Sequence, residues 1–161
     1  MADTTANILV GQGDLSIAGT IVGFTVGGFF LREEPEFFEA FGDQSIGVQV
    51  KKLVRRRLFA RADLGEASLI NLRLAYGLPS AALSGITLQF DGTELGAVTA
   101  GFIGTNPAGF NRTMAFSRIV QMEAVEQNYQ RDGQTIVPME FEILPSVDGA
   151  DVFFTIADAA S

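Results

Sequence analysis

The side chains that most often carry chemistry are absent from this chain or scattered along it. Its 161 residues include no His and no Cys. That removes the commonest general base, the usual partner of a serine nucleophile, the thiolate nucleophile and the commonest metal ligands. Carboxylates remain: nineteen Asp and Glu against eleven Lys and Arg, for a formal net charge of −8. No two acids are set apart as an acid and base pair, so they read as solvated surface charge. "GQGD" contains G-x-G without the third glycine or a following lysine, and reads as a turn rather than a nucleotide site. "PSVDGAD" sets Asp148 and Asp151 beside Gly149, but the ligand spacing of a calcium loop is incomplete and a turn is the simpler reading. The sequence therefore implies no enzyme activity, no metal and no cofactor.

What stands out instead is a pair of oppositely charged segments. "KKLVRRRLFAR" carries Lys51, Lys52, Arg55, Arg56, Arg57 and Arg61, six of the eleven basic residues. On a strand both of its faces mix base with apolar side chains. A nucleic-acid reader concentrates its charge on one face, and a chain of −8 repels phosphate at long range. About eighteen residues upstream, "EEPEFFEAFGD" packs five acids, among them Glu33, Glu34 and Glu36, with Phe37, Phe38 and Phe41. The two segments can pair inside one subunit or across copies. Three Phe in an acidic stretch, expected as a long loop at about 33–44, read as an anchor for a pocket on another copy. The expectation is head-to-tail self-association, which closes into rings or stacks into filaments.

The elements that must position these segments are mostly strands. In "GITLQFDGTELGAV", Ile86, Leu88 and Phe90 alternate with polar residues before Asp91-Gly92, a tight-turn dipeptide. From Thr113 to Ala124, Met114, Phe116, Val120 and Met122 share one face, with Glu123 on the other and Ile119 as an exception. In "TIVPMEFEIL", Val137, Met139, Phe141 and Ile143 oppose Glu140 and Glu142, while Pro138 places the strand at an edge or a bulge. "DVFFTIA" reads as a last strand, and the Gly-punctuated "LSIAGTIVGFTVGGFFLRE" as one or two early ones. One helix is expected over about Asp63 to Tyr76, opened by Asp63 and Glu66 and stopped by Gly77 and Pro79.

The length suits a single domain over 1–161 that can bury roughly 70% of its unfolded surface. The N-terminus lacks the basic start and apolar run of a secretory signal. The longest apolar stretch, "AGTIVGFTVGGFFL", is too short and Gly-rich to span a bilayer as a helix, so no membrane is expected. The fold class is mainly β with one α-helix: an antiparallel β-sandwich or barrel.

The order of these features resembles the tail tube proteins of tailed bacteriophages, relatives in fold of the tubes of contractile injection systems. The resemblance lies in the opening "GTIVGFTVGGFFLRE", the acidic excursion to "DQSIG", the unit "VKKLVRRRLFARADLGEASLINLRLAYGLP" and the closing "FSRIVQMEAVEQNYQRDGQTIVPMEFEILP". It implies a virion structural protein, made in the host bacterial cytoplasm, whose homo-hexameric rings stack into a hollow tail tube. DNA would pass through without specific binding. Tape measure, terminator and baseplate or tip proteins would be further partners. Glu33, Glu34, Glu36, Phe37, Phe38 and Phe41 would meet Lys51, Lys52, Arg55, Arg56 and Arg57 at subunit interfaces, and Glu123, Glu140 and Glu142 are candidates to line the bore. Other readings are a capsid decoration protein and the tube of a cellular injection system.

Overall fold

A computed structural model of the chain describes residues 13–22, 25–41, 47–93, 96–105, 109–122 and 136–159. Among these described residues ten strands and one α-helix run in the order β1 (Asp14–Ile17), β2 (Thr20–Val22), β3 (Thr25–Phe41), β4 (Val48–Leu64), α1 (Leu69–Ala75), β5 (Leu83–Ser84), β6 (Thr87–Leu88), β7 (Val98–Thr105), β8 (Asn111–Gln121), β9 (Val137–Leu144) and β10 (Phe154–Asp158). Eight strands form one antiparallel sheet in the order β2-β1-β7-β8-β9-β4-β3, with β10 also paired to β8. The two end strands, β2 and β3, are neighbours in sequence. Val22 and Thr25 lie at most about 11 Å apart along the chain, so the sheet must curl until its margins approach. The expected β-rich architecture with a single helix is what forms.

The core fills the inside of that curl. Alternation on β9 buries Val137, Met139, Phe141 and Ile143, as the period of two requires. Leu58, Ala60, Ala62 and Leu64 of β4 join them, with Leu15 and Ile17 of β1, Phe116 and Ile119 of β8, and Leu72, Leu74 and Ala75 of α1. Gly27 and Gly28, at φ of 80° and 97°, form a bulge at which β3 carries two residues more than β4. Beyond it Phe29 stacks on Phe102 at 4.8 Å and packs against Phe116 at 5.6 Å. Pro138 sits beside Asp63 of β4, past the point where the β8 ladder ends at Gln121 and Phe141. A residue without an N–H is tolerated at such a margin.

Four sequence expectations change. Glu33 to Phe41 is strand rather than loop, because each residue finds a partner on β4; of the loop expected at about 33–44, residues 42–44 lie outside those described. The helix is shorter: Asp63 belongs to β4, and Ser68 caps α1 by accepting the Asn71 N–H at 3.3 Å. The Asp91-Gly92 turn does not close a hairpin; Leu88 pairs back to Leu83, and Asp91 Oδ1 accepts the Thr93 N–H at 3.0 Å. On β8 an extra residue between Phe116 and Ile119 flips the alternation, so Ile119 faces the core in place of Val120. At that bulge β8 passes from pairing with β10 to pairing with β9.

The helix ends as the Gly77 signal requires. The Gly77 N–H donates to Leu74 O at 3.0 Å and the Leu78 N–H to Arg73 O at 2.9 Å, the paired bonds of a Schellman stop. The buried Arg73 guanidinium closes the turn on Leu78 O at 3.2 Å. Gly77 holds φ of 62°, and a Cβ there would crowd Gln121, whose own Cβ would lie 3.2 Å away. Gly77→Ala should therefore destabilise the fold by about 1–2 kcal/mol from backbone strain alone, read as a fall in the urea midpoint; an unchanged midpoint would show that the left-handed turn is not required.

Candidate functional site

The charged segments meet as the two strands of one hairpin. β3 and β4 are each 17 residues long, whereas strands usually run 3–10 residues. β9 covers β4 only from Leu58 to Leu64. Residues 48–57, with their partners on β3, therefore continue beyond the sheet as a two-stranded arm of about 33 Å at ~3.3 Å per residue. Seven large apolar side chains are exposed along it: Phe37, Phe38, Phe41, Val48, Val50, Leu53 and Val54. No described strand pairs with the outer edge of β3.

At the root of the arm the charges form a lattice around one ring. Phe59 is 4% exposed yet points away from the main core. The guanidiniums of Arg32 and Arg57 lie over it at 4.8 and 5.0 Å. Arg57 grips Glu142 with two bonds, Nε to Oε1 at 2.9 Å and Nη2 to Oε2 at 3.2 Å. The bond to Glu142 holds the Arg57 guanidinium above its ordinary pKa. Arg32 reaches Glu140 at 3.3 Å and Glu34 at 3.4 Å. On the opposite face Arg56 pairs with Glu33 at 2.7 Å.

Further out, β4 carries an extra residue between Leu53 and Arg55. This bulge shifts its phase and sets Lys51 on the face of Phe37 and Glu39. Its ammonium lies 4.6 Å from the Phe37 ring centre and 3.1 Å from the Glu39 carboxylate. Phe38 and Phe41 are left 58% and 67% exposed. Among the described residues Glu36, Lys52 and Arg55 have no ion-pair partner.

The residues singled out in sequence thus fall into two groups. Glu33, Glu34, Arg56, Arg57, Lys51, Glu140 and Glu142 are held in ion pairs within the subunit, and Phe37 lies under the Lys51 ammonium. Glu36, Phe38, Phe41, Lys52 and Arg55 remain available on the arm. Glu123 lies outside the described residues. Arg32, which joins Glu34, Glu140 and Phe59, was not singled out; its signal is its place two residues before Glu34, on the same strand face. Asp148 is held in an ordinary turn: its Oδ1 accepts the Ser146 hydroxyl and the Ala150 N–H at 3.2 Å. Among the described residues no cluster of carboxylates could hold a metal, and no helix is long and apolar enough to cross a membrane.

A solved structure has the same fold. The anti-feeding prophage cap, a tube terminating cap seen by cryo-EM, matches with a TM-score of 0.51 at 14% identity, over 99% of this chain and 100% of that one. The likeness is one of fold. No protein-family model and no curated protein sequence matches it.

Two predictions follow from the geometry at the arm root and the Asp148 turn. Phe59→Ala should cost about 3–5 kcal/mol, as for a buried phenyl. Arg57→Ala should cost much less than that, because the pair is partly solvated and screened; comparable losses in urea denaturation would mean that the ion pairs, not the ring, hold the root. The Ser146 hydroxyl and then the Ala150 N–H hold Asp148 below the ordinary carboxylate range. The stabilisation from this turn should be complete above that range and lost as pH falls through the depressed value. Asp148→Asn should abolish that acid-side dependence in pH-dependent unfolding.

Proposed function

We propose that this protein is a structural subunit of a phage tail: homo-hexameric rings of it stack into the hollow tube through which DNA is delivered. The single observation that carries the reading is the arm. An isolated two-stranded hairpin is at best marginal in water, and this one exposes apolar side chains on both faces and an open β3 edge. An open edge is a liability unless something pairs with it. Neighbouring copies supply that cover in a ring, and the next ring supplies it in a stack. The fold shared with a prophage tube terminating cap supports a place in a tail. The subunit's location is the virion, its partners are itself and the proteins that end the tube, and its role is mechanical rather than enzymatic.

DNA passes without being gripped. With Arg57 on Glu142 and Arg32 on Glu140, a bore lined by the outer face of β9 is a mixed-charge surface rather than a bare acidic one. The net charge of −8 still opposes phosphate adsorption. A second reading follows from the same structural neighbour: a ring that terminates a tube rather than one that builds its shaft.

Negative-stain microscopy of the purified chain separates the two. Hollow filaments of stacked six-fold rings are expected; single rings that do not stack favour the terminating role, and monodisperse monomers overturn both. Replacing residues 37–53 with a tight Asn-Gly turn should leave a folded monomer that loses only the arm's share of the far-ultraviolet β signal, still unfolds cooperatively, and does not assemble.

A further inference from the structure

The arm needs a receiving surface, and the structure offers one. A cleft of about 560 Å³ lies beside the C-terminal end of β8, where pairing with β7 has ended at Val98 and Ile119. This volume falls within the roughly 300–1,000 Å³ of a typical binding pocket. Its walls are mostly apolar: Leu74, Tyr76 and Leu78 from the end of α1, and Phe90, whose ring meets Tyr76 edge to face at 5.0 Å. Arg118 and Gln121 supply polar groups. Among the described residues Arg118 has no ion-pair partner.

We infer that this cleft receives Phe38 of a second copy, with Glu36 of that copy paired to Arg118. The inference rests on the self-assembly proposed above and adds the contact that performs it. Charge and shape select the occupant. Of the acids at 33, 34, 36 and 39 on the arm, Glu33, Glu34 and Glu39 are already paired to Arg56, Arg32 and Lys51. Glu36 is the one with no ion pair among the described residues, although Arg55 stands opposite it in the ladder. Glu36 and Phe38 are two residues apart on a strand, so they project from the same face about 7 Å apart. A ring and a carboxylate at that spacing match an apolar slot with an arginine among its lining residues. Phe37 is a poorer knob because the Lys51 ammonium covers it. The ladder with β4 holds Phe38 five residues past the last β4–β9 pair, about 16 Å out. The ring therefore enters a neighbour's cleft and not its own. The contact is heterologous, joining two different surfaces, which is the kind that closes rings or extends filaments.

The chain has no Cys, so engineered thiols report the contact without background. Ala40→Cys, on the face of Phe38, and Ala97→Cys, on the cleft wall, are made in separate batches, mixed, and treated with a short bis-maleimide. Covalent dimers are expected in the mixture and not in either batch alone. Glu36→Arg or Arg118→Glu alone should weaken self-association at least tenfold by analytical ultracentrifugation, and the double variant should restore it. Rings or filaments that persist without the cross-link, and are indifferent to both charge changes, would overturn this contact while leaving the tail reading intact. Cross-linking of cleft thiols to a different protein in place of this chain would also overturn it. A wild-type chain that stays monomeric at every concentration would overturn both.

Discussion

Everything distinctive here depends on one ladder that runs longer than the sheet containing it. β3 and β4 pair from Thr25 with Leu64 out to Phe41 with Val48, but the rest of the domain supports only the inner part. Where β9 stops, the hairpin loses one neighbour and the core beneath it. A two-stranded ribbon in water has too little apolar burial to offset the entropy of ordering its residues. Beside its charges and Pro35 it nonetheless exposes Phe37, Phe38, Phe41, Val48, Val50, Leu53 and Val54. In the assembly proposed above, neighbouring copies would supply the cover that this segment lacks within the monomer.

The charges have a different task from the one their density suggests. A basic run and an acidic run facing one another across a ladder give directly opposed residues, such as Glu34 with Arg57 and Glu39 with Lys51, whose exposed charges contribute little to stability. Their larger effect is on register. A one-residue slip would carry each side chain to the other face and part Lys51 from Glu39 and Arg57 from Glu142, so these pairs help to fix which residue faces which. Stability at the root comes instead from Phe59, sealed beneath two guanidiniums whose outer ends are tied to Glu140 and Glu142. The ring supplies burial and the lattice excludes water from it.

How far the sequence displayed this follows from which interactions are local. β9 was legible because Val137, Met139, Phe141 and Ile143 alternate without interruption, and Pro138 marked the margin of its ladder. The helix stop was legible because Gly77 is needed for a backbone conformation that is decided within a few residues. The helix start was misread because Asp63 and Glu66 mimic a capping box, yet Asp63 is held in a long-range ladder beside Pro138. The acidic segment looked like a loop because acids and Pro35 are poor strand formers taken alone; its strand exists only because a basic partner lies opposite. The complementarity of the two segments was visible, but not whether it acts within a subunit or between subunits, since composition carries no distance. The cleft beside β8 was invisible, being assembled from five separate stretches of chain.

The bulges are the last piece, and they explain how one chain of period-two strands makes both a closed core and an open arm. On β8 the extra residue before Ile119 turns the strand so that its first half pairs with β10 and its second with β9, which lets the sheet curl. On β3 the pair Gly27 and Gly28 sends Phe29 inward onto Phe102. On β4 the extra residue before Arg55 has no core to serve. It instead rotates the outer arm so that Lys51 shields Phe37 and satisfies Glu39, while Phe38 and Glu36 share the other face without such cover. A bulge increases local twist and re-aims side chains. Without this one, the phase of β4 would place Lys51 on the face of Phe38, and the arm would present a covered ring where it now presents a bare one. The irregularity that looks like a flaw in the longest ladder is what leaves a knob exposed at the far end of the molecule.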